Sequence, residues 1–133
     1  MMNLKNNNIN IFKNLFFNDK YLEIKGGQVL EGKIKISGAK NSALVLMAAS
    51  ILSRGQINLF NVPRISDVLI MSKILNAMGM NIRSNANHLI IGSEQISLPS
   101  QESLFDLFNA LRGSFFCIGP LLARFGKAKI PLP

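Results

Sequence analysis

Lys33-Ile34-Lys35-Ile36-Ser37-Gly38-Ala39-Lys40-Asn41-Ser42-Ala43-Leu44 alternates basic and apolar residues, passes through one glycine and continues into an apolar run. The alternation predicts a short strand with Ile34 and Ile36 on one face and the lysines on the other, and Gly38 predicts a turn into a helix. The first N–H groups of such a helix have no intrahelical partners and lie at the positive end of its dipole. Lys40 adds a full charge there, and Asn41 adds an amide that both donates and accepts. The corner therefore has the chemistry of a phosphate or carboxylate seat. A plainer reading fits the same residues, with Asn41 or Ser42 capping the helix and Lys40 in solvent.

Downstream, Ser42 to Leu52 is an apolar run broken only by Ser50, which predicts a buried helix ending at Ser53-Arg54-Gly55. Gln56 to Phe60 alternates as a strand, and Asn61-Val62-Pro63 stops it. Ser66 is expected to cap a helix carrying Val68, Met71, Leu75 and Met78 at helical spacing until Gly79 ends it. Met80 to Arg83 and His88 to Ile91 flank Ser84-Asn85-Ala86-Asn87 and read as a hairpin. Strand, helix, strand, helix, strand, strand is the order from Lys33 to Ile91. It predicts an α/β or α+β layer with helices over one face of a sheet.

From Gln101 the order restarts with a helix through Leu104, Leu107, Phe108 and Leu111. Arg112-Gly113-Ser114 follows, then a second apolar helix that Pro120 should kink or restart, and a final strand from Lys127 to Leu132. Upstream, Tyr21 to Ile24 alternates as a strand, and Gly26-Gly27 turns the chain before Gln28-Val29-Leu30. Residues 1–20 are rich in Asn and Lys and read as an N-terminal extension without the apolar core of a secretory signal. Phe12, Leu15 and Phe16 within it have the spacing of a short amphipathic helix.

Across 133 residues, 15 Lys+Arg stand against 7 Asp+Glu, a net charge of +8 that favours anionic partners. The basic residues form no block of five or six, which argues against nucleic acid as the partner. With 48% apolar residues the chain can bury a core of one modest domain. The one cysteine, Cys117, excludes an internal disulfide and fits a reducing compartment. Its neighbours Phe115, Phe116 and Ile118 mark it as a core residue and not a nucleophile. His88 has no Cys or second His with which to hold a metal, so no metal site is expected. The apolar runs are too short to span a bilayer.

Two arginines stand out. Arg112, just before Gly113-Ser114, lies between two apolar stretches, where its planar fork would face a phosphate or carboxylate, or would snorkel off a buried helix. Arg124 lies in Leu121-Leu122-Ala123-Arg124-Phe125-Gly126. It is a weaker candidate for a substrate contact, because a cation in a last helical turn also compensates the helix dipole.

Together, Ile36-Ser37-Gly38-Ala39-Lys40-Asn41-Ser42-Ala43-Leu44, Asn61-Val62-Pro63 with Asp67-Val68, Leu111-Arg112-Gly113-Ser114 and Gly119-Pro120-Leu121-Leu122-Ala123-Arg124-Phe125-Gly126 resemble one family. The chain is similar, from about Tyr21 to Pro133, to the amino-terminal part of the UDP-N-acetylglucosamine 1-carboxyvinyltransferases, enolpyruvyl transferases of peptidoglycan synthesis. The resemblance implies an inside-out barrel of βαβαββ repeat units, here one complete unit and part of a second. Residues 21–39 would supply strands to the family's second domain, and residues 40–133 an incomplete first domain. It further implies that Lys40 and Asn41 contact phosphoenolpyruvate and that Arg112 contacts UDP-N-acetylglucosamine, with no cofactor and a cytoplasmic location.

The family's Met-Arg-Ala-Ser motif reads Leu111-Arg112-Gly113-Ser114 here, and the glycine loosens a helical position. In the family a Gly-Gly-Cys loop, whose cysteine donates a proton, follows the position of Pro133, so no catalytic residue is expected within the chain. Cys117 is not its substitute. The expectation is an amino-terminal part that is inactive alone or is completed by a second chain. Alternatives are a part of a 3-phosphoshikimate 1-carboxyvinyltransferase, whose comparable lysine motif is usually Ser-Lys-Ser, and a basic module that binds anions or nucleic acid.

Overall fold

The computed structural model describes residues 23–24, 26–27, 29–99 and 102–131. The expectations for residues 1–20, and parts of those for Tyr21–Ile24, Gln28–Leu30 and Lys127–Leu132, fall on residues outside that set. The described residues fall into two units, one up to Ile34 and one from Lys35 onward.

Within the larger unit the elements are α1 (Lys40–Ala49), β1 (Gln56–Leu59), α2 (Ser66–Ala77), β2 (Asn81–Asn85), β3 (His88–Gly92), α3 (Glu102–Asn109) and α4 (Ile118–Phe125). Single 3₁₀ segments, Ser50–Leu52 and Arg112–Cys117, extend α1 and precede α4. The three strands form an antiparallel sheet in the order β1-β3-β2. Its register sets Ile57, Ile91 and Ile82 in one row and Leu59 opposite Leu89. The period of two puts Leu89 and Ile91 in the core while their neighbours on β3 stay partly exposed.

Two helices supply most of the remaining core. Ala43, Leu44, Met47 and Ala48 recur at helical spacing on α1, and Val68, Met71, Ile74 and Leu75 on α2. Met47, Ile51, Met71, Ile74, Leu75, Met78, Ile91 and Leu121 are among the fully buried side chains. Each burial of this kind stabilises the fold by about 1.5–3 kcal/mol before chain entropy is set against it. Gly79 ends α2 with φ +93°, where a Cβ would lie 2.4 Å from the carbonyl oxygen of Gln95, so only glycine fits that turn.

Four expectations need correction. Lys33–Ser37 is not a strand: its residues carry no regular structure, and Ile34 and Ile36 are 90% and 83% exposed. Alternation makes a strand only where a neighbouring strand takes its N–H and C=O groups, and among the described residues none does. Residues 127–131 are likewise irregular, although Ala128 and Ile130 pack against the core as the alternation requires. Ser66 does not cap α2. The cap position is the extended Ile65, and Ser66 already sits in the first turn. The helix read from Gln101 to Leu111 stops at Asn109, and the second apolar helix begins as a 3₁₀ segment over Arg112–Cys117. Gly113 lowers helix propensity there. Pro120 then falls in the first turn of α4, where its missing N–H leaves no helical bond unmade.

Candidate functional site

Lys40 is the first residue of α1, following an extended Ala39 that has no side-chain oxygen to cap the helix. Asn41 and Ser42 lie inside the first turn, so neither is the cap that the plainer sequence reading made of them. Asp67 sits in the first turn of α2, where the helix dipole favours a carboxylate. These two starts bring Lys40 Nζ within 2.8 Å of Asp67 Oδ2. Ser66 Oγ donates to Asp67 Oδ1 at 3.4 Å. The hydrogen bond from Lys40, more than any other contact, holds the Asp67 carboxyl below its ordinary value of 3.8.

Arg112 approaches the same place from another element. After α3 the chain turns at Leu111, and the 3₁₀ segment starts with Arg112 exposed beside α1. Lys40, Asn41, Asp67, Arg112 and Gly113, together with the apolar Leu44, Leu111 and Phe116, line one open depression of about 250 Å³. A Cβ on Gly113 would stand 2.8 Å from Leu44 Cδ1, so the glycine permits the close approach of this segment to α1. The depression thus holds two cations and one carboxylate. One cation is already matched by Asp67, which leaves an excess positive charge and an amide for an incoming anion.

The structure therefore gathers three of the residues singled out by sequence, Lys40, Asn41 and Arg112, and adds Asp67. Sequence reasoning noted Asp67 only as part of a motif. The signal that would have paired it with Lys40 was its place one residue into a helix whose start faces another helix start.

Arg124 is not at the depression. Its half-buried guanidinium donates from Nη1 to the carbonyls of Ile51, at 2.6 Å, and Ser53, and from Nη2 to the carbonyl of Ser93, at 3.1 Å. It thereby compensates the carboxyl end of the segment after α1, where orphan carbonyls gather, and not that of its own helix. His88 Nε2 lies 3.1 Å from Asn58 Oδ1, and its ring stacks on Phe60 at 4.4 Å between centroids. Cys117 is buried 3.9 Å from Met71 Sδ, and burial pushes its thiol up to about 12. No cluster of metal-ligating side chains occurs among the described residues. No helix among them is long and apolar enough to cross a membrane.

Residues 24–133 match the family described as EPSP synthase (3-phosphoshikimate 1-carboxyvinyltransferase). Among curated proteins, UDP-N-acetylglucosamine 1-carboxyvinyltransferase 2 of Prochlorococcus marinus is 53% identical over 112 residues, which are 84% of this chain and 26% of that protein. UDP-N-acetylglucosamine 1-carboxyvinyltransferase of Prochlorococcus marinus subsp. pastoris is 51% identical over 118 residues, 89% of this chain and 25% of that protein. The chain thus spans about a quarter of the length of these relatives. Among solved structures, the enolpyruvyl transferase NikO from Streptomyces tendae superposes with a TM-score of 0.63 at 23% identity, over 76% of this chain and 23% of that one. That likeness is one of fold, and it agrees with the mixed helix and sheet layer.

Proposed function

The chain belongs to the EPSP synthase family of enolpyruvyl transferases, and on that premise we propose that its depression is the phosphoenolpyruvate-binding part of a UDP-N-acetylglucosamine 1-carboxyvinyltransferase. The observation that carries this reading is the convergence of Lys40, Asn41 and Arg112 on one depression. Phosphoenolpyruvate has two anionic groups, and two cations on separate elements suit it better than a single patch would. Lys40 and Asn41 take its phosphate, and Arg112 serves its carboxylate and the adjoining nucleotide sugar. The names borne by the relatives at 53% and 51% identity favour the nucleotide sugar over shikimate 3-phosphate as second substrate. So does Asn41, which stands where the shikimate enzymes usually carry serine.

In the proposed reaction the sugar 3-hydroxyl adds to C2 of phosphoenolpyruvate while C3 gains a proton, giving a tetrahedral intermediate. That intermediate loses phosphate from C2 and a proton from C3, which restores the double bond. Charge on the phosphate is what Lys40 stabilises. A base for the hydroxyl and an acid for C3 are also required. Asp67, held ionised by Lys40, does not suit the acid role. We assign these 133 residues anion binding, and the acid, the base and closure over the substrates to polypeptide outside them, in this chain or a second.

We extend the reading to the architecture and the cell. The order α1, β1, α2, β2, β3 is the body of one βαβαββ unit, α3 and α4 open the next, and residues 21–39 serve a second domain. Both proposed substrates are metabolites of the cytoplasm, which supports a cytoplasmic location. Titration of the chain with phosphoenolpyruvate, followed by NMR, is the test. Resonances of Lys40, Asn41 and Arg112 should shift together, and Lys40→Met should abolish the response. Shifts confined to other residues, or phosphate released from the two substrates at ordinary enzymatic rates, would overturn the assignment.

A further inference from the structure

We propose that Asp67 is a positioning residue that competes with ligand phosphate for the ammonium of Lys40 and so speeds phosphate release. This rests on the anion-binding reading above. The Lys40–Asp67 contact of 2.8 Å lies inside the same depression that Arg112 lines, so an anion bound between the two cations lies beside a carboxylate of its own sign. The ammonium has three donors and the carboxylate occupies one.

Both partners are accessible, at 54% and 27% side-chain exposure, and ion pairs of that kind are weak enough for a dianionic phosphate to displace. Asp67 is tethered a few ångströms away, so it retakes the ammonium without a diffusional step once the phosphate begins to leave. It also keeps Lys40 directed into the depression between ligands, where a free lysine would sample many rotamers. Ser66, donating to the other carboxylate oxygen, keeps Asp67 in place when Lys40 departs.

The test measures binding and dissociation of inorganic phosphate by 31P NMR on the full 133-residue chain. It compares wild type, Asp67→Asn, Asp67→Glu, Lys40→Met and the Asp67→Asn/Lys40→Met pair, each checked for its native circular dichroism. Asp67→Asn should tighten phosphate binding about two- to fivefold, the range an exposed ion pair supports, through slower dissociation. Asp67→Glu should stay near wild type, and the gain should shrink sharply in the Lys40→Met background. Should Asn perturb the fold, Asp67→Ser serves in its place with the same expectation.

Unchanged or weaker binding in a neutral variant, while wild type binds phosphate, would overturn the proposal alone. So would an undiminished gain in the Lys40→Met background, because the effect would then be one of general charge. Folded wild type and variants that all fail to bind phosphate would overturn the anion-binding reading, and this proposal with it.

Discussion

The guanidinium of Arg124 donates to the carbonyl of Ile51 at 2.6 Å, across 73 positions of the chain. The same side chain serves Ser53 and Ser93, so one residue of α4 ties together the end of the α1 extension and the residue after β3. Ser93 Oγ donates to the carbonyls of Ser53 and Gly55, which closes the knot from the other side. Arg124→Met keeps the apolar stem and leaves three carbonyls short of a donor. It should cost about 1–3 kcal/mol in urea unfolding, the range for partly buried groups stripped of a partner. A loss within error of zero would mean that water replaces the guanidinium freely.

Gly38 and Gly113 flank the site and respond differently to a methyl group. A Cβ on Gly38 would lie 1.9 Å from the carbonyl oxygen of Asn61, a backbone atom held by a residue with φ +58°. Neither side can yield, so Gly38→Ala should destabilise by about 3 kcal/mol or more, at or above the usual cost of overpacking. A Cβ on Gly113 would come within 2.8 Å of Leu44 Cδ1, a side-chain tip and not a backbone atom, and would otherwise meet Leu111 at 3.8 Å. Gly113→Ala should therefore stay within about 1 kcal/mol of the parent, since alanine's better helix propensity offsets part of the repacking. Thermal melts of the two variants side by side check this, and equal losses would contradict it.

The contrast between these glycines also marks how far the sequence was legible. The helix α2 followed from its apolar spacing, α1 from its unbroken apolar run and the hairpin of β2 and β3 from the polar residues at its turn, although that turn is two residues long and not the four read from sequence. Lys33–Ser37 has the period of a strand and is not one, because pairing is a property of a neighbour and not of the segment. The glycine of Arg112-Gly113-Ser114 reads from sequence as a loosened helix. In space it is the clearance that lets Arg112 come up beside α1. Lys40, Asn41 and Arg112 could be named from their local chemistry, but Asp67 could not be matched to Lys40 without the packing of α1 against α2.

That pair has a pH signature. Lys40 holds the folded-state carboxyl of Asp67 below its ordinary value of 3.8, so folding favours the ionised form. The stabilisation is full above that ordinary value and is lost as pH falls through the lower folded value. The melting temperature of wild type minus that of Asp67→Asn should accordingly be constant from neutral pH down to about pH 5 and shrink below pH 4. A difference that persists unchanged into the acid limb would trace to packing and not to charge. Because both groups are accessible, moderate salt should also narrow it.

The tight turn between β2 and β3 offers a gain in stability. Asn85 pairs with His88, so Ala86 and Asn87 form a two-residue loop, and Ala86 sits at φ +50°. Two-residue hairpins of this hand take glycine or asparagine readily at such a position, whereas an alanine Cβ crowds its own carbonyl at a cost of about 1–2 kcal/mol. Glycine removes that crowding but gives back about 0.5–1 kcal/mol through the greater freedom of the unfolded chain. Ala86→Gly should thus stabilise by about 0.5–1 kcal/mol, seen as a higher urea midpoint at unchanged slope. The carbonyl of Asn87 accepts from the N–H of Val62 at 2.8 Å, so relaxing the turn also steadies the segment that leads into α2. A lower midpoint would show that this loop holds its left-handed residue without strain.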